Sequence, residues 1–177
     1  MPIHFEDVDV VSEVRGLRSV LIVPCNMCAA VTVAVREDKP FLQLFSRFLK
    51  SPPFDRYLRE LISRLGENGV EAEVFRCDLP HQWFLCMCSS GRHKKLLKAA
   101  KRHDGAVVMG CDSAVRTVSE AVRATGLKVI PGMEMTGIMN AKPRINLYGH
   151  ISFEDCKVVP VGGRAKMAGA ENLKQIA

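Results

Sequence analysis

The sequence lacks any apolar stretch long enough to cross a bilayer. Its longest runs, near Val20 to Val23 and Ala29 to Val35, fall well short of the roughly 18 residues that a membrane-spanning helix needs. The beginning of the chain also lacks the basic flank, long apolar stretch and small-residue cleavage site of an export signal, because acidic residues crowd it. These absences predict a cytoplasmic protein with no membrane span.

Motifs of the common enzyme classes are absent as well. The chain has no glycine-rich dinucleotide motif, no phosphate-binding loop, no nucleophilic serine elbow and no His-Glu-x-x-His zinc motif. A self-sufficient enzyme is therefore hard to argue from the sequence. We predict that no residue acts as a general acid or base.

The net charge of +6 is modest for 177 residues and does not by itself require nucleic acid. A basic run on a predicted helix contains Arg92, His93, Lys94, Lys95, Lys98, Lys101 and Arg102. We interpret it first as a solvated helix face, second as a surface that docks an acidic partner subunit, and third as a nucleic-acid site. No interleaved aromatic residues or RNA-binding signature support the third interpretation, so we predict no nucleic-acid partner.

Cysteine is the residue that the chain uses in an informative pattern. Seven cysteines, an odd number, argue against a disulfide framework and favour metal ligation, redox chemistry or buried thiols. Cys156 is isolated and is interpreted as a core thiol. The other cysteines follow the first three strands of a predicted central sheet or lie in the adjoining loop: Cys25, Cys28, Cys77, Cys86, Cys88 and Cys111.

Strand and helix patterns alternate along most of the chain. Predicted strands at 17–24, 72–76, 105–110 and 127–130 are separated by helical patterns. This order predicts an α/β fold with a single doubly wound, flavodoxin-like, mostly parallel sheet and helices on both faces. Residues 1–161 are predicted to form one cysteine-rich metal-binding domain, and residues 162–177 a C-terminal tail.

Outside this sheet, the sequence predicts several further elements. We expect an edge strand over 7–11, a helix over 41–49, a Gly/Met-rich loop over 131–141 and short strands at 144–148 and 156–159.

The predicted topology gathers the cysteines at one place, because ligands of open α/β sheets bind beyond the carboxyl ends of the strands. Cys25 and Cys28 have the Cys-x-x-Cys spacing, with which two thiolates reach one metal or form a redox disulfide. Four thiolates can hold a tetrahedral zinc ion or an iron–sulfur cluster. The residues alone do not choose between these.

Three motifs carry a family resemblance: Val23-Pro24-Cys25-Asn26-Met27-Cys28, Cys88-Ser89-Ser90-Gly91-Arg92 and Val108-Met109-Gly110-Cys111. In this order they resemble the delta subunit of methyl-viologen-reducing hydrogenase, an iron–sulfur carrier that docks on heterodisulfide-reductase-type complexes. Residues 18–140 are also similar to the cysteine-rich domain of the methylenetetrahydrofolate reductase C-terminal family. That similarity lies in the Cys25 motif, in Gly110-Cys111 followed by Thr117-Val118, and in Ile130-Pro131-Gly132 leading to Thr136.

Both resemblances imply an iron–sulfur subunit that passes electrons between other subunits of a redox complex, in anaerobic one-carbon or heterodisulfide-type metabolism. The further cysteine and histidine ligands of those families are missing after Cys111, which limits this chain to one cluster or one zinc ion. The implied ligands are Cys25, Cys28, Cys111 and preferably Cys88. Cys77 or Cys86 would be a substitute ligand or a thiol that surrounds the ligands.

Two other hypotheses remain open. One is a zinc-stabilised interaction subunit, in which the metal only fixes three loops and the function is docking. The other is a thiol oxidoreductase that uses Cys25 and Cys28. Iron content distinguishes the zinc-stabilised subunit from the iron–sulfur subunit. A reversible disulfide without bound metal would indicate the thiol oxidoreductase.

Overall fold

The computed structural model describes residues 2–43, 51–76 and 85–161. The first half contains β1 (Ile3–Asp7), α1 (Val10–Glu13), β2 (Ser19–Pro24), α2 (Cys28–Arg36), β3 (Leu42–Gln43), α3 (Pro52–Glu67) and β4 (Glu71–Val74). The second half contains α4 (Ser90–Ala100), β5 (Gly105–Met109), α5 (Asp112–Val122), a 3₁₀ turn (Arg123–Thr125), β6 (Lys128–Pro131), β7 (Met133–Ile145) and β8 (His150–Pro160).

Four strands form a parallel sheet in the order β4-β2-β5-β6. The two central strands are apolar and almost wholly buried, as expected for parallel strands that are covered on both faces. All four strands lie close to the positions that the sequence patterns predict.

The remaining four strands form a separate antiparallel sheet in the order β1-β7-β8-β3. The prediction of one doubly wound, mostly parallel sheet is therefore wrong. The error lies mainly at residues 131–141, which we expected to form a loop but which supply most of β7. Met and Gly occupy buried positions of this strand, namely Met133, Gly137 and Met139, and the intervening Glu134, Ile138 and Asn140 are exposed.

Gly137 explains how the two long strands pair closely. A Cβ at this position would lie 2.6 Å from the carbonyl oxygen of Val159. Only glycine allows the backbones of β7 and β8 to approach in this way. Gly137, which contributed to the prediction of a loop, is therefore needed for the close packing of two strands.

Other local predictions also change. The edge strand expected over 7–11 lies earlier, as β1, and the chain then enters α1, where the carboxylate of Asp9 accepts a hydrogen bond from the Ser12 hydroxyl at 2.6 Å. Within the helix expected over 41–49, the described residues Leu42 and Gln43 form β3. The rest of that segment and the predicted tail at 162–177 lie outside the described residues.

The core has two parts, one on each face of the parallel sheet. One face packs against α4 and α5 through residues such as Leu96 and Val118. The opposite face packs against α2, α3 and the antiparallel sheet, where Phe5 and Met139 are fully buried. Among the described residues, none of the helices has the length and apolar character required to span a bilayer.

Candidate functional site

The carboxyl edge of the parallel sheet brings the first and third cysteine motifs together. Cys25 comes directly after β2, and its backbone N–H donates to the carbonyl oxygen of Met109, the last residue of β5, at 2.9 Å. Cys28 is the first residue of α2, and Cys111 is the N-cap residue of α5. Parallel pairing thus continues one residue past β2 and places these segments side by side.

Gly110 lets the two segments pack this tightly. A Cβ on Gly110 would lie 3.0 Å from the Cβ of Cys25 and 3.1 Å from the Cβ of Ala114. These distances are below ordinary carbon–carbon contact. The Gly110-Cys111 pair is therefore matched in shape to the segment that carries Cys25.

Cys25 is almost fully enclosed, with 5% of its surface exposed. Burial raises the pKa of its thiol, while hydrogen bonds from the backbone N–H groups of Leu85 and Met27 to the sulfur oppose that rise. Negative charge on Cys28 or Cys111 would raise the pKa further, because both thiols lie close by. Cys25 is a buried sulfur that already accepts backbone hydrogen bonds.

Cys28 is half-buried, and burial is again the main reason that its thiol pKa is raised. A hydrogen bond from the backbone N–H of Ile3 opposes the rise, and charge on Cys111 or Cys86 reinforces it. The neighbours of Cys28 thus link three sequence motifs. We call the cysteines whose charges influence one another in this way the thiol cluster: Cys25, Cys28, Cys86 and Cys111.

The second cysteine motif is held by the residues on either side of it. Leu85 is fully buried, whereas Cys86 is exposed and Cys88 is half-buried. Ser89 then caps α4, and its hydroxyl oxygen accepts from the backbone N–H of Arg92 at 3.4 Å. Charge on Cys86 would raise the pKa of Cys28.

Two other cysteines remain. Cys77, one of the predicted ligands, falls outside the described residues. Cys156 lies in β8, half-buried against the core between the sheets, and its pKa is raised by partial burial and by the charge of Asp155. Its strand belongs to the antiparallel sheet, whereas Cys25 and Cys111 follow strands of the parallel sheet.

The sequence motifs gave no sign that β1 contributes to this site. Ile3 reaches the thiol cluster through its backbone, and its carbonyl oxygen accepts from the hydroxyl of Thr32 in α2 at 3.1 Å. The adjacent His4 bonds Thr136 of β7 through Nδ1 at 2.9 Å. The thiol cluster therefore lies where the parallel sheet, α2 and the antiparallel sheet meet.

The chemistry of this donor set fits a thiophilic metal. Four thiolates are the ligands of structural zinc and of common iron–sulfur clusters. Within residues 2–43, 51–76 and 85–161, no three His, Cys, Asp or Glu side chains are arranged to hold a metal ion as they stand. Because their pKa values are raised, the thiols of Cys25 and Cys28 are protonated at neutral pH, and metal loading would require loss of these protons.

Comparisons with protein-family models, with curated proteins and with solved structures give no match to this chain. The two family resemblances therefore stay predictions that rest on the three cysteine motifs.

Proposed function

We propose that this protein is an accessory subunit that holds one cysteine-ligated iron–sulfur cluster and transfers electrons between partner proteins. The observation that supports the proposal is the packing at the carboxyl edge of the parallel sheet, where Cys25 bonds the end of β5 and the segment Gly110-Cys111 lies beside it. Charge on Cys111 and Cys86 also reaches Cys28. The setting that we propose is a cytoplasmic redox complex of anaerobic one-carbon or heterodisulfide-type metabolism, as the motif resemblances imply.

The proposed ligands are the four members of the thiol cluster. This choice differs from the set that the resemblance implies, because Cys86 replaces Cys88 as the fourth ligand. The influence of Cys86 on Cys28 supports the replacement. In this proposal Cys88 and Cys156 are not ligands, and Cys77 lies outside the residues that the structure describes.

The chain would shape the properties of such a cluster through its backbone. A cluster supplies one-electron transfer, and hydrogen bonds to its sulfurs and its burial set the reduction potential. Backbone N–H groups of Met27, Leu85 and Ile3 already point at cysteine sulfurs. The helices α2 and α5 begin at Cys28 and directly after Cys111, so their positive N-terminal ends favour the anionic thiolates.

The surroundings of Cys25 support a metal centre over a thiol oxidoreductase. A reactive redox cysteine is partly exposed and has a lowered pKa, whereas Cys25 is 5% exposed and its pKa is raised by burial. A buried, hydrogen-bonded sulfur is suited to permanent ligation. It is poorly suited to attack on a disulfide of another protein.

The test is the metal content of protein purified without oxygen. We expect brown protein that contains iron and acid-labile sulfide and bleaches on reduction or in air. Serine substitutions at Cys25, Cys28, Cys86 and Cys111 should each lower iron per chain by more than half, and Cys156→Ser is the matched control that should not. Stoichiometric zinc without iron would replace the electron-transfer proposal with the zinc-stabilised docking subunit.

The choice of the fourth ligand has its own comparison. Cys86→Ser should lower the iron content and Cys88→Ser should leave it near the wild-type value. The reverse result would restore Cys88 as the ligand. Metal-free protein with a Cys25–Cys28 disulfide would contradict both metal hypotheses and favour the thiol oxidoreductase.

A further inference from the structure

A groove of about 920 Å³ runs along the outer edge of β4, between α3 and α4. Its apolar lining consists of Ile62, Ala72, Val74, Phe75 and Ala99, and its basic lining consists of Arg76, Lys95, Lys98 and Arg102. Glu73 also lines it. We call this feature the β4 groove.

The floor of the groove is an edge strand. Backbone N–H groups of Glu71 and Phe75 donate to carbonyl oxygens of residues in or next to β2, at 2.9 and 2.8 Å. In a parallel ladder, alternate residues of a strand bond the same neighbour, so the backbone groups of Ala72 and Val74 point to the opposite edge. In the part of the chain that the structure describes, β4 is the end strand of its sheet.

Charge on the two sides of this edge is unequal. On one side, α4 carries the exposed Lys95 and Lys98, and the exposed Arg102 follows just after the helix. On the other side, α3 contributes Ile62. The carboxylate of Glu73 is already engaged by Arg102 at 3.2 Å, with the ring of His103 at 3.4 Å from its other oxygen. The groove thus presents net positive charge on one side and apolar surface on the other.

We propose that the β4 groove binds an extended acidic segment of a partner protein, which pairs with the outer edge of β4 as an added strand. Successive side chains of an added strand point to opposite faces of the sheet. A segment that alternates carboxylate and apolar residues would direct its carboxylates towards α4 and its apolar residues towards α3. This inference goes beyond the electron-transfer proposal and does not depend on what the thiol cluster holds.

A second copy of this chain fits the groove less well than such a segment. Pairing of two β4 edges would bring two sets of basic residues towards each other, and like charges across an interface are unfavourable. Each copy would also bring a Glu73 that is already engaged within its own chain. The charge of the groove favours an acidic partner.

The experiment measures binding of a fluorescein-labelled peptide of alternating Glu and Val to the full-length protein by fluorescence anisotropy. The double variant Lys95→Glu/Lys98→Glu changes the groove, and Lys94→Glu/Lys101→Glu makes the same charge change on exposed residues of the same segment that do not line it. We expect the groove variant to weaken binding about tenfold and the control variant about twofold. Equal losses in the two variants, or no peptide binding, would overturn the proposal.

Strand pairing is tested separately with Val74→Pro, which removes an outward N–H while keeping the ladder to β2. We expect this variant to lose peptide binding with a thermal midpoint near that of the wild type. Unchanged binding would refute strand addition. Tighter binding of an oligo-dT strand than of the peptide would identify the groove as a nucleic-acid site. A dimer of the wild-type protein that dissociates in Val74→Pro would identify a second copy as the occupant. Either result would overturn the proposal.

Discussion

Replacement of Gly110 by alanine tests the contact on which the candidate site is built. The added Cβ would lie 3.0 Å from the Cβ of Cys25 and 3.1 Å from that of Ala114. Relaxation to an ordinary contact of about 3.5 Å requires shifts of several tenths of an ångström. Neither neighbour can yield by rotating a flexible side chain, because both atoms are fixed to the backbone, one just after β2 and the other in α5.

Forced overpacking of this kind costs about 1–3 kcal/mol. For a chain of this size, each kcal/mol lowers the thermal midpoint by about 2–4 °C, so the expected fall is roughly 2–12 °C. The variant should also lose iron when prepared without oxygen, because it pushes Cys25 away from Cys111. Differential scanning calorimetry of the metal-free protein and iron analysis of the loaded protein measure the two effects independently.

Gly91→Ala is the matched control. Gly91 lies in the first turn of α4, close to Cys88, and a Cβ there would meet nothing within 4 Å. Alanine is favoured over glycine in a helix by up to about 1 kcal/mol, so this variant should be as stable as the wild type or slightly more stable. A Gly110→Ala protein with an unchanged midpoint and full iron content would refute the packing argument.

Three further predictions concern the surrounding structure. Tyr57→Phe removes a 3.0 Å hydrogen bond to the Asp7 carboxylate and should lower the free energy of unfolding, measured in urea, by about 1 kcal/mol. An unchanged free energy of unfolding would show that water replaces the bond. Burial, aided by the charge of Arg36, lowers the pKa of His4 below its ordinary 6.5, so His4 contributes stability that is present above pH 6.5 and lost as pH falls through the lowered value. The variant His4→Gln should therefore have a free energy of unfolding that depends less on pH in this range. An unchanged pH dependence of unfolding would exclude His4 as its source. Gly137→Ala should lower the thermal midpoint more than Gly110→Ala, because its Cβ would meet backbone at 2.6 Å, and an equal or smaller fall would contradict this.

Sequence reasoning located the parallel sheet because its strands have the simplest possible signature. Runs such as Val20 to Val23 are apolar at every position, since both faces of the sheet are covered. The antiparallel sheet has a weaker signature. In β7 the buried positions are occupied by methionine and glycine, neither of which is among the β-branched and aromatic residues that are enriched in strands. The pairing partner β1 is also more than 120 residues away in the chain.

The same contrast applies to the candidate site. Proximity of Cys25 and Cys111 follows from topology alone, because parallel neighbours deliver their next residues to one edge. The approach of Ile3 to Cys28 follows from the packing of a second sheet that the sequence did not reveal. A long-range contact through a backbone N–H leaves no mark on residue type, so no motif could have predicted it.

The choice between Cys86 and Cys88 depends on a single neighbouring residue. Two cysteines separated by one position are equivalent as a sequence pattern, and either could reach the edge of the sheet from a loop. Leu85 breaks the equivalence: its side chain is fully buried and its N–H bonds the sulfur of Cys25. Cys86 is joined directly to that anchored residue, and charge on Cys86 reaches Cys28. For these two reasons we assign the fourth thiolate to Cys86.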